Sequence, residues 1–377
     1  MTLVRPDISA PLPVTAAWRE GDHPGQRKFF ALPDPFPLQS GGVLLGGRLA
    51  YETWGTLAPD GGNAILVEHA LTGDSHVIGE AGEGHPTPGW WSELVGPGRA
   101  VDPERWFIVC TNALGGCQGT TGPSSLDPQG KPWGSRFPEL SVRDMTRAEV
   151  HLADALGVRR WAAVIGGSLG SMRTLEWIVD QPDRVESALV LAGTAVASAE
   201  QIAWCYTQLS AIYSDPGWHD GDYYDKPVGP HLGLSLARRI AHTTYRAPAE
   251  LEARFGHARQ PGEDRFAVES YLDHHARKLA HRFDAGSYVA LTRAMTSFDV
   301  GRDRGGVEAA LGRVTARVAV AGVDSDRIYP LEQQQFIADH IPTAGPLQVV
   351  RSDYGHDGLL IEAEQVGRIV TDLLNSR

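Results

Sequence analysis

A short apolar run, Trp161-Ala-Ala-Val-Ile165, leads straight into Gly166-Gly167-Ser168-Leu169-Gly170, and Met172 to Val179 then continues with apolar residues at helical spacing until Asp180-Gln-Pro-Asp183 ends the element. A strand that enters a helix through G-x-S-x-G must turn sharply. The serine at the tip is held in a strained, exposed conformation, and the small glycines beside it let strand and helix pack closely. Few folds accommodate such a turn, and a serine held this way points to acyl chemistry at Ser168.

The rest of the chain supplies a sheet to carry that turn. Residues 43–54 read as an early strand or hairpin, and further strand candidates are 64–68, 106–111, 187–192, 316–322 and 347–351, with helical stretches between most of them. In one of these, residues 144–156, apolar side chains fall on one face and Gly157 supplies a stop. Alternation of this kind predicts an α/β fold with a mostly parallel sheet flanked by helices. Residues 1–36, rich in proline and charge, read as an N-terminal extension outside the core. The alternation lapses over residues 194–312, which read as an inserted helical cap (lid) folded over the strand ends, the edge where open α/β sheets bind ligands. The core domain is then residues 37–193 and 313–377.

Composition narrows the function classes. The chain has 42% hydrophobic and 21% charged residues, ordinary for a soluble globular protein. No window approaches the ~18 apolar residues of a membrane span, and the start lacks a signal-peptide pattern, so a cytoplasmic protein is expected. Cys110, Cys117 and Cys205 match neither a disulfide framework nor a zinc site and read as reduced thiols. A net charge of −12 argues against nucleic-acid and anionic-membrane partners, while leaving room for a local basic pocket for an anionic cofactor.

A serine hydroxyl needs a base, and that base needs an acid to fix its tautomer. In folds with this turn the chain order is Ser, acid, His. Of the 14 histidines, His340 and His356 lie beyond the cap and the strand that follows it. His340 closes a helical stretch, whereas His356 sits in a loop directly after the last strand and is the expected base. Asp324 and Asp326 both follow the preceding strand, and local physics does not separate them. The backbone N–H of Leu169 is the expected first oxyanion donor, with the second from the 69–74 loop.

Together, His69-Ala-Leu-Thr-Gly-Asp-Ser-His76, Gly89-Trp-Trp91, Leu114-Gly-Gly-Cys-Gln-Gly-Thr-Thr-Gly-Pro123, Ile165-Gly-Gly-Ser-Leu-Gly170, Leu175-Glu-Trp177, Ser325-Asp-Arg-Ile-Tyr-Pro330 and Tyr354-Gly-His-Asp-Gly358 resemble the homoserine O-acetyltransferases of the α/β-hydrolase fold. The resemblance runs from about residue 40 to the C-terminus. It implies Asp326 as the acid and Leu71 as the second oxyanion donor. It further implies a homodimer, acetyl-CoA as the acyl-donor substrate with no permanently bound cofactor, L-homoserine as acceptor, and a role in methionine biosynthesis. The chain reads Gly-Gly-Ser-Leu-Gly-Ser-Met-Arg where the family often has G-G-S-M-G-G-M-Q. Ser171 and Arg173 therefore fall in the first turns of the elbow helix, where they bear on the acyl pocket.

An amino-acid acceptor needs a guanidinium for its carboxylate and an anion for its ammonium. Arg238 and Tyr245 are separated by about two helical turns and share a face, whereas Arg239 points about 100° away. The resemblance selects Arg238 and Tyr245 as carboxylate-side contacts and Asp357 as the ammonium partner. Asp273-His-His275 with His281 is discounted as a metal site, since adjacent helical residues face different ways. The expected activity is ping-pong acyl transfer. A succinyl donor, a serine acceptor and an esterase using water remain the alternatives.

Overall fold

Residues 11–376 are described by a computed structural model. The strands are β1 (Lys28–Ala31), β2 (Phe36–Pro37), β3 (Val43–Leu44), β4 (Arg48–Trp54), β5 (Ala64–Glu68), β6 (Phe107–Thr111), β7 (Ala163–Gly167), β8 (Ser187–Leu191), β9 (Arg317–Val323) and β10 (Gln348–Val350). The helices are α1 (Val142–Leu156), α2 (Leu169–Asp180), α3 (Ala199–Tyr213), α4 (His231–Tyr245), α5 (Pro248–Phe255), α6 (Ala267–Ala280), α7 (Ala285–Thr296), α8 (Val307–Leu311), α9 (Leu331–His340), α10 (Gly358–Ile361) and α11 (Ala363–Asn375).

The main sheet runs β1-β4-β6-β5-β7-β8-β9-β10. β4 is antiparallel to both β1 and β6, and the remaining neighbours are parallel. β5, β7 and β8 are buried along their whole length, because helices or loops cover both faces and the strands are correspondingly apolar. Side-chain alternation divides them between two layers. Leu66 and Val164 share a buried cluster with Met145, Ala148 and Leu152 of α1, while Ile65, Val67 and Ile165 belong to the layer with Val366, Val370 and Leu374 of α11. Burying each such side chain contributes about 1.5–3 kcal/mol. At α1, Ser141 and Asp144 form a capping box, and Gly157 ends the helix at φ 78°, a left-handed conformation that suits glycine.

Between β8 and β9 the chain forms α3 to α8, the stretch expected to be helical, and α4 reaches the loop after β10. The strand or hairpin expected over residues 43–54 divides between two sheets. β3 pairs with β2 in a separate two-stranded sheet, and only β4 enters the main one.

Residues 1–36 are not peripheral as a whole. The first ten lie outside the described residues, but β1 closes one edge of the main sheet, and Leu32 and Phe36 are buried in its core. Thr15 donates to Asp284 at 2.7 Å, and the Trp18 N–H donates to the Cys117 carbonyl at 2.9 Å. Proline and charge in this segment hid contacts whose partners lie far along the chain.

Candidate active site

The turn at the end of β7 requires its glycines. A Cβ on Gly166 would stand 2.4 Å from the Gly170 carbonyl oxygen, and one on Gly170 would stand 2.2 Å from that of Glu68. Ser168 adopts φ 59° and ψ −123°, a strained conformation for a residue with a side chain. Although it occupies the N-cap of α2, its side chain makes no cap. The buried Tyr329 hydroxyl lies beside it.

His356 lies on the turn after β10, which starts at Gly355 with φ 64°. A Cβ there would come 2.5 Å from the Tyr245 carbonyl oxygen, so α4 and this loop approach with no room to spare. Asp326, just past β9, places Oδ2 2.6 Å from His356 Nδ1, while its Oδ1 accepts the N–H groups of Ile328 at 2.8 Å and Tyr329 at 3.0 Å. Asp324 is engaged elsewhere, accepting from Ser352 N–H at 3.0 Å and lying 3.2 Å from Arg351. Burial works to lower the His356 pKa. The charge of Asp326 and its hydrogen bond outweigh that, and the imidazole is held above its ordinary value. His340 lies on α9 with Nδ1 against its own helix, at the Phe336 carbonyl.

Tyr329 links the two halves of the site, its ring 5.2 Å from that of His356 and its hydroxyl beside Ser168. Sequence reasoning gave it no role, although it lies in the Ser325-to-Pro330 motif. Among the described residues His356 Nε2 has no hydrogen-bond partner.

Leu169 begins α2, so its N–H has no acceptor within the helix. Leu71 follows β5, whose end abuts the turn through the Glu68 carbonyl and Gly170. Among the described residues neither N–H donates to a protein acceptor. Behind this turn, Arg173 makes short contacts with Glu68 and Glu149 and donates to Thr111 at 2.7 Å, all fully or nearly fully buried. Trp177 Nε1 also donates to Glu149, at 2.8 Å. Burial, with the neighbouring Glu149, pushes the Glu68 carboxyl well up despite Arg173. Arg173 is therefore a buried structural cation and does not project into the acyl pocket. Ser171 is likewise buried, donating to the Ser168 carbonyl at 2.7 Å.

On α4, the Arg238 guanidinium lies 5.5 Å from the Tyr245 ring, and that ring lies 5.7 Å from His356. Arg238 and Asp357 line a cavity of about 540 Å³ with Thr72, next to Leu71. Arg238 Nε is buried without a hydrogen-bond partner, and among the described residues Arg238 makes no ion pair. Arg239 pairs with Asp273 at 2.7 Å, away from this cavity. Asp357 lies 3.2 Å from Arg246, which also binds Glu250 at 2.7 Å. Arg246 was missed in the sequence because nothing local marks a partner 111 positions away.

The discounted Asp273-His-His275 segment spreads its side chains. Asp273 pairs with Arg239 and Arg265, while His275 stacks on His242 at 4.0 Å. A group with metal-ligand spacing does occur at Glu52, His76 and His85, whose ligand atoms lie within 4.8 Å of one another. Their valences are used internally: His76 Nδ1 meets Glu52 at 2.9 Å, and the Gln26 N–H donates to His85 Nε2 at 3.0 Å. The two imidazoles stack at 3.8 Å with 11° between their planes, so their in-plane lone pairs do not converge on one ion.

Residues 63–363 match the alpha/beta hydrolase fold family, and the elbow serine and sheet order place the chain in that class. A homoserine O-acetyltransferase of Thermobifida fusca (strain YX) is 59% identical over 374 residues, covering 98% of this chain and 99% of the relative. Esterase E22 has a similar structure, with TM-score 0.84 and 25% identity over 92% of this chain and 99% of that one. A homoserine O-acetyltransferase from Bacillus anthracis shares the fold, with TM-score 0.84 and 24% identity over 93% and 97% of the respective chains. The chain belongs to the homoserine O-acetyltransferase family.

Proposed function

We propose that the protein transfers an acetyl group from acetyl-CoA to the side-chain hydroxyl of L-homoserine, in methionine biosynthesis, by a ping-pong mechanism. Ser168 Oγ attacks the thioester carbonyl as His356 Nε2 takes its proton, and the N–H groups of Leu71 and Leu169 hold the oxyanion. Collapse expels the CoA thiolate, which His356 protonates, leaving acetyl-Ser168. The homoserine hydroxyl then gives its proton to His356 and attacks the acyl carbon. Collapse returns a proton to Ser168 and releases the acetylated amino acid. Asp326 keeps His356 in the required tautomer and stabilises its cation.

The observation that carries this reading is the unpaired Arg238 guanidinium beside Tyr245, whose ring lies 5.7 Å from that of His356. A carboxylate-bearing acceptor supplies the missing anion, and the ammonium group of the same acceptor suits Asp357. An esterase using water has no need of either charge. The test is thiol release from acetyl-CoA and succinyl-CoA, each with homoserine, serine or water. Release that depends on acetyl-CoA and homoserine supports the reading, and equal release with water as acceptor defeats it.

The homodimer expected from the family fits the exposed apolar stripes Ile202 and Tyr206 on α3 and Leu232 and Leu236 on α4. These two helices pack together, and a second copy would cover both stripes. Tyr206→Glu with Leu232→Asp should shift the light-scattering mass from dimer to monomer. Free thiols at Cys110, Cys117 and Cys205 suit a reducing compartment, consistent with a cytoplasmic enzyme.

A further inference from the structure

The chain is acidic, with a net charge of −12, yet the cavity lined by Asp357, the residue after His356, gathers cations. Arg238, Lys278 and Arg282 line it, and the carboxylates among them are Asp74 and Asp357. Asp357 is held by Arg246 at 3.2 Å, and Asp74 accepts the His76 N–H at 2.9 Å and lies 3.7 Å from Arg282. Among the described residues Lys278, part-way out of solvent at the rim on α6, makes no ion pair. Arg282 is thus partly offset by Asp74, while Arg238 and Lys278 stay without an ion-pair partner among the described residues. Burial first, then Arg282 and Arg238, push the Lys278 ammonium below its usual range. Burial followed by Arg238, His274 and Lys278 holds His275, on the same wall, at about 3. Positive charge gathered at a cavity mouth and left unneutralised attracts and holds an anionic guest.

The acceptor carboxylate accounts for one cation. The acyl donor brings more negative charge, at the far end of a long pantetheine arm whose thioester must reach Ser168. Its phosphates therefore belong at the rim. We infer that Lys278 binds the phosphate-bearing end of the acyl donor, with Arg238 reserved for the acceptor and Arg282, anchored on the Thr72 carbonyl, supplying fixed positive charge between them. This assignment rests on the acyl-CoA reading given above.

The test compares kcat/KM for thiol release from acetyl-CoA and from S-acetylpantetheine, which carries no phosphate. The wild-type preference for acetyl-CoA should fall about tenfold in Lys278→Ala, return in Lys278→Arg, and weaken in the wild type as salt is raised. A ratio of donors is insensitive to loss of folded enzyme, since both rates fall together. Should Lys278→Ala keep the full preference, or the wild type show none, the assignment is wrong while acetyl-CoA remains the donor. Should the wild type release no thiol from acetyl-CoA, the acyl-CoA reading fails and this assignment falls with it.

Discussion

Asp357 Oδ2 lies 3.2 Å from Arg246 Nη1, so the carboxylate beside His356 is oriented by an arginine at the end of α4 and not by Arg238 on the same helix. Arg246 also holds the buried Glu250 and lies over the Tyr354 ring at 5.0 Å. Replacing Arg246 with Met should destabilise the protein by about 3 kcal/mol, the range for leaving a buried carboxylate unpaired. It should also raise KM for homoserine more than for acetyl-CoA. Denaturant unfolding and steady-state kinetics check the two effects.

Ser168→Ala and His356→Ala should each reduce acyl transfer at least ~10⁴-fold, and Ser168→Ala should leave the unfolding free energy within ~1 kcal/mol of wild type. Rapid mixing of the wild type with labelled acetyl-CoA alone should release a burst of CoA and leave label on Ser168. If label appears only when homoserine is present, the ping-pong order is wrong.

Asp326→Asn should slow turnover by about 10³–10⁴-fold, the cost of losing the tautomer and its counter-charge. Asp324→Asn should stay within about threefold of wild type, because its partners are Ser352 and the exposed Arg351 rather than the imidazole. A reversed ranking in stopped-flow acylation would move the acid to Asp324.

The raised His356 pKa sets the direction of the pH dependence. A base must be neutral, so acylation should fall as pH drops through a value above the ordinary ~6.5 of histidine. In Asp326→Asn, burial is no longer opposed by the neighbouring charge, and the residual activity should show this limb at lower pH. The stability linkage follows the same group. The folded pKa exceeds the unfolded one, so the stabilisation is complete below the unfolded value and is lost as pH rises through the folded value.

Arg238→Ala should cost about 2–5 kcal/mol in the homoserine-dependent step, the range for removing one partner of a buried charge pair, while acyl-enzyme formation continues at near wild-type rate. Single-turnover measurements separate the two. A parallel fall in both half-reactions would recast Arg238 as a structural residue of the cap.

Much of this protein was legible locally. The apolar run before Gly166, the helical spacing after it, and the Gly157 stop are short-range signals, and β7, α2 and α1 follow them because burial and backbone sterics act within a few residues. The order of Ser168, an acidic residue and His356 was also readable, since the topology of the sheet brings successive strand ends to one edge. Local physics did not choose between Asp324 and Asp326. They share a loop, and which one meets the imidazole depends on how β9 and β10 stand side by side, a choice that the family resemblance made and the 2.6 Å contact matches. Arg173, in the first turns of the elbow helix, read as bearing on the acyl pocket, yet it turns inward to Glu68 and Glu149, because a buried guanidinium needs a buried acidic partner. Residues 28–31 looked peripheral and became a sheet edge, and Arg246 gave no signal at all. In each case the deciding partner lies far along the chain, and only the tertiary fold brings the two within reach.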